Sequence, residues 1–109
     1  MKTLSDVAKA VLNMETEMEY RDKQKSVSVG FEVGEEMFFY GITIRDILDC
    51  SILAVGLWTR GIIHTINWDA YCGCNDKSEE RLVGFLSKCL EQDGIPADSK
   101  ICWIEIVDY

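Results

Sequence analysis

Leu4, Val7, Ala8, Val11, Leu12 and Met18 recur at three- and four-residue spacing, with Asp6, Lys9, Asn13 and Glu17 between them. That spacing predicts an amphipathic helix. Thr3 or Ser5 is placed to cap its start, and the glutamate-rich run Met14 to Tyr20 predicts a solvated far end. From Ser26 the period changes to two. Val27, Val29, Phe31 and Val33 alternate with Ser28, Gly30 and Glu32, the pattern of a strand with one buried face. Gly34-Glu35-Glu36 breaks it, and Met37 to Tyr40 predicts a short aromatic strand stopped by Gly41. Asp49 to Leu57 is apolar on both faces, Cys50, Ile52 and Ala54 on one and Leu53, Val55 and Leu57 on the other, which predicts a strand covered on both sides.

Asp76 and Glu79 have a variant of the capping-box spacing and precede Leu82, Val83, Leu86, Cys89 and Leu90, which predicts a second helix. Gly94 supplies its stop and Pro96 follows. Lys100 to Val107 then returns to strand, with Ile101, Trp103, Glu105 and Val107 on one face and Cys102, Ile104 and Ile106 on the other. The order predicts one domain over residues 1–109 of the α+β class, an α/β sandwich of two helices on a mixed four-stranded sheet. Strand, helix and strand from Cys50 to Val107 form a crossover unit whose strands should be parallel and right-handed in connection. The first half lacks an opening strand to be the same unit. Between the halves, 58–75 carries Ile62, Ile63, Ile66, Trp68 and Tyr71, too apolar for a solvated loop. This insertion is expected either to replace the missing strand or to dock on a partner.

With 109 residues, 48% of them hydrophobic, one core is affordable. A formal charge of -8 argues against nucleic acid and anionic membrane as partners, because phosphate would be repelled. The first residues lack the charged and apolar regions of a secretory leader, and no apolar run approaches the roughly 20 residues that span a bilayer. Five cysteines, an odd number, sit largely in apolar segments and fit a reduced, cytoplasmic setting.

Three stretches carry a resemblance. Phe31 to Gly41, FEVGEEMFFYG, Leu48 to Gly56, LDCSILAVG, and Leu90 to Asp108, LEQDGIPADSKICWIEIVD, resemble in order and spacing segments of the macrophage migration inhibitory factor family of the tautomerase superfamily. The resemblance implies two crossover units about a pseudo-twofold axis and three subunits in a ring. It also implies a ligand site in which Lys23 binds a substrate carboxylate, Val55 lies on the pocket floor, and Trp103 and Glu105 stand near a tyrosine and an asparagine of the family. The family's base is an exposed N-terminal proline with a lowered pKa. This chain reads Met1-Lys2, and Glu105 would repel an anionic keto-acid. No catalytic residue is therefore carried over.

Read from its polar surroundings alone, Lys23 is a solvated side chain. Cys72-Gly73-Cys74, near His64, Asp69 and Asp76, falls short of a structural zinc site, which spaces cysteines by at least two residues and gathers four good ligands. It reads as a loop thiol pair, so neither metal nor cofactor is expected. His64 has no carboxylate in an orienting position in the sequence and reads as a half-buried strand residue. The expected function is a non-catalytic binding or scaffold protein. Its partner is a second copy in a trimer, or another protein reached through the sheet edge and the 58–75 insertion. The alternatives are a phenylpyruvate-type tautomerase whose sequence is truncated, and a small acidic inhibitor or effector.

Overall fold

The computed structural model describes residues 2–17, 25–47, 50–71 and 78–108. In chain order the elements are α1 (Leu4–Glu17), β1 (Lys25–Val33), β2 (Glu36–Ile47), β3 (Cys50–Leu57), a 3-10 turn (Trp58–Arg60), β4 (Ile62–Asn67), α2 (Trp68–Tyr71), α3 (Ser78–Gln92) and β5 (Lys100–Asp108). The class is α+β. The strands form one five-stranded sheet in the order β4-β3-β2-β1-β5, and every neighbouring pair is antiparallel. No described helix is long and apolar enough to cross a membrane.

α1 begins and α3 ends where local chemistry directs. Thr3 and Asp6 form a reciprocal capping box at the start of α1: the Thr3 N–H donates to the Asp6 carboxylate at 2.8 Å, and the Asp6 N–H donates to Thr3 Oγ1 at 3.4 Å. Backbone hydrogen bonding to Thr3 holds the Asp6 carboxyl below its usual range. At the end of α3, Gly94 takes φ +78°. The Ile95 N–H reaches the Leu90 carbonyl at 2.9 Å and the Gly94 N–H reaches the Glu91 carbonyl at 3.1 Å. This is a Schellman closure, in which a left-handed glycine satisfies carbonyls that the helix leaves open.

The helices bury Val7, Ala8, Val11 and Met14 from α1 and Leu82, Leu86, Cys89 and Leu90 from α3 against one face of the sheet. That face presents Val27, Val29 and Phe31, then Phe38, Tyr40, Ile42 and Ile44, then Leu53, Val55 and Leu57. On the opposite face lie Met37, Phe39 and Thr43 of β2 and Ile52 and Ala54 of β3, all half-buried. No described helix packs there. The expectation that β3 is covered on both sides therefore gives way: its apolar second face belongs to an open surface.

Further expectations are corrected, beginning with the helices, since α2 is a third where two are expected. The sheet has five strands where four are expected, because residues 62–67 of the apolar insertion pair antiparallel with β3 as an edge strand. The parallel crossover between Cys50 and Val107 does not form, since β5 passes to the far edge and pairs antiparallel with β1, two strands away from β3. Strand-helix-strand order fixes neither the slot nor the direction of the returning strand. Gly41 does not stop β2, which runs on to Ile47. The two sides of β5 also differ from strict alternation. Gly30 pairs with Trp103 while Phe31 pairs with Ile101, so Cys102 is the extra residue of a bulge. Ile101 thereby turns to the helix side and Trp103 to the open side.

Candidate functional site

The open face owes its shape to two glycines. A Cβ on Gly41 would lie 2.5 Å from the Trp58 Nε1, and one on Gly30 would lie 2.9 Å from the Trp103 ring. Each indole thus lies against bare backbone, where any side chain would push it off. Phe39 packs beside Trp103 with ring centroids 5.2 Å apart and planes tilted by 32°. Register places Gly30, Trp103 and Phe39 side by side across β1, β5 and β2. Trp58 continues the row from the turn after β3.

Trp58 is 67% exposed and Ile63 is 68% exposed. Between them lies a groove of about 240 Å³ lined by Gly41, Ala54, Gly56 and Ile62 among others. Acids rim the Trp103 end. Glu35 is exposed in the β1–β2 turn, and Glu105 is exposed on β5 opposite Ser28. Lys100 is 3.5 Å from Glu32 and Lys2 donates to the Cys102 carbonyl, so two cations stand among these acids.

A second polar constellation lies on the helix side. Asp93, 5% exposed, sits where α3 ends. The Tyr40 hydroxyl donates to its Oδ2 at 2.5 Å, and the His64 Nε2–H donates to its two carboxylate oxygens at 2.9 and 3.0 Å. The Arg60 Nη1 donates to its backbone carbonyl at 3.0 Å while the guanidinium lies 5.1 Å over the Phe38 ring. A carboxylate at a helix C-terminus opposes the helix dipole, and these donors offset that cost. Burial, and then Asp93, push the Tyr40 hydroxyl well above its usual range, so it remains a donor. The same two causes, burial first, push the Cys89 thiol up to about 12.

The enclosed cavity bounded partly by Tyr40 and Cys89 measures about 10 Å³, room for about one water and too little for a keto-acid. The constellation joins β2, β4 and the end of α3, and its described geometry is that of a structural lock.

The four residues expected to share a ligand site do not meet. Trp103 and Glu105 lie together on the open face. Val55 is buried on the helix side and lines the small cavity. Lys23 lies outside the described residues, as do Cys72, Cys74 and Asp76. Of the remaining residues near the CxC, His64 is engaged with Asp93, and Asp69 accepts the Ser51 N–H at 2.9 Å.

Sequence reasoning missed the partner of His64, which stands 29 residues away at a helix end. It also passed over Trp58, Phe39, Gly30 and Gly41. The signal for the last four is a glycine at the centre of an aromatic strand pattern, which marks close approach of another group. No family model, curated protein or solved structure matches the chain.

Proposed function

We propose that the chain is a non-catalytic binding protein that docks another protein on the open face of its sheet. Trp58 carries the reading: a large indole held flat over Gly41 and left two-thirds exposed. Tryptophan anchors binding more often than most residues, because it covers much apolar area with little conformational entropy to lose. Phe39 and Trp103 extend the platform, and the chain's formal charge of -8 favours a partner whose facing surface is basic. The reading asks no chemistry of the chain.

The test compares affinity capture by the wild-type protein with capture by a Trp58→Ser/Phe39→Ser double variant of matched thermal midpoint. A partner held by the wild type and lost from the variant is expected. Equal retention by both, or enol-keto conversion of phenylpyruvate by the wild-type protein, overturns the reading.

A further inference from the structure

The two edges of the sheet are built differently. β5 carries Lys100, Glu105 and Asp108, is bent by the bulge at Cys102, and has Lys2 Nζ donating to the Cys102 carbonyl at 3.3 Å. Charge, a bulge and a covering side chain are the devices that keep an edge from pairing with another chain. β4 has none of them. Its sequence, Ile62-Ile63-His64-Thr65-Ile66-Asn67, has no proline, lysine, arginine, aspartate or glutamate, and its pairing with β3 runs without a shift through all six residues. His64 is held inward by Asp93. Among the described strands nothing pairs with its outer side.

We infer that β4 is a self-pairing edge: two copies of the chain join β4 to β4 antiparallel about a twofold axis, fusing two five-stranded sheets into one. Three features favour a second copy as occupant. The chain carries a formal charge of -8, so another copy is repelled over much of its surface and approaches best along a seam free of charge.

A twofold register centred on His64 is also self-complementary. It sets Ile62 opposite Ile66 of the partner copy on the helix side, and Ile63 opposite Thr65 on the open side, so both faces continue across the seam. The two neighbouring allowed registers, centred on Thr65 and on Ile63, set Ile66 or Ile62 respectively opposite His64, and each loses the Ile62 to Ile66 pairing. A shift by one residue is excluded because it would exchange the faces.

The ends of the seam complement each other in charge. In the His64-centred register Arg60 of one copy comes level with Trp68 and Asp69 of the other, once at each end. Arg60 has engaged Nη1 with Asp93, and Asp69 has engaged Oδ2 with Ser51; each retains further hydrogen-bonding capacity. The assembly closes at two copies, because twofold pairing uses the same strand of each. A ring of three, implied by the tautomerase resemblance, is a different object.

Sedimentation velocity on the full chain across the micromolar range tests this, with two double variants at exposed seam positions. Ile63→Lys/Thr65→Lys and Ile63→Glu/Thr65→Glu each place like charges directly opposite in the cross-strand pairs. The wild type is expected to reach twice 12.4 kDa with concentration. Each variant, with circular dichroism unchanged, should raise the dissociation constant about tenfold or more. An equimolar mixture of the two should restore a dimer containing one of each. A wild type that stays monomeric, a mass of three copies, a dimer indifferent to the lysines, or a mixture that does not pair overturns the inference. Trp58→Ser/Phe39→Ser should leave the dimer intact, so failure here and failure of open-face binding are separate results.

Discussion

One sheet, two faces, and nearly the same alternation of side chains give two different materials. Beneath α1 and α3 the sheet presents branched aliphatics and the rings of Phe31, Phe38 and Tyr40, closed over by helices and pinned at one end by Asp93. On the other side large rings lie over glycines, and Trp58 and Ile63 stand in solvent. The difference teaches that the apolar character of a strand face does not identify it as core. What identifies core is a matching apolar face on another element, and α1 and α3 each offer one such face.

This contrast can be broken from the helix side first. Asp93→Ala strips the acceptor from the buried Tyr40 hydroxyl and from His64, and should cost about 4 kcal/mol in urea unfolding. Leu53→Ala, at a fully buried position, should cost about 3 kcal/mol through lost transfer energy and the cavity left behind. Both changes should leave Trp58 as exposed as before.

Alkali probes the same side. Burial raises the Cys89 pKa from 9.0 to about 12 in the folded chain, so its contribution to stability is complete below pH 9 and is lost as pH rises towards and through 12. The thermal midpoint should fall over that window, and less steeply in Cys89→Ala.

On the open side the expected effects shrink for stability and grow for binding. Gly41→Ala drives a methyl group into the Trp58 indole, and should cost about 1 kcal/mol while the near-ultraviolet dichroism of the indole diminishes. Trp58→Ser should change stability by no more than about 0.5 kcal/mol. If it instead unfolded the protein, the open face would be core after all, and the contrast between the faces would collapse.

Much of the helix side was legible in the sequence. The three- and four-residue spacing of α1, the alternation of Val27, Val29 and Phe31, and the stop at Gly94 are local signals, each sufficient to set its own element. What escaped depends on distant pieces. Gly41 reads as a stop until Trp58, 17 positions later, is known to lie on it. The run from Ile62 to Asn67 has isoleucine on both faces, and as an edge strand it shows no clean alternation. His64 and Asp93 meet only because β4 passes under the end of α3. The slot taken by β5, beside β1 and not beside β4, has no local signal in the sequence. As for the candidate site, Trp103 and Glu105 were found on one surface, while Val55, one position along β3 from the open face, points the other way.

The bulge in β5 gives Cys102 a special standing. With it present, Ile101 faces the helices and Trp103 faces out; with it removed, the pairs Phe31 to Ile101 and Gly30 to Trp103 would become ordinary neighbours and both residues would keep their sides. Cys102 is thus an insertion absorbed without a change of frame. A related chain one residue shorter at this point would display the same outer surface, and an alignment guided by strict alternation alone would assign Ile101 to the wrong side of the sheet.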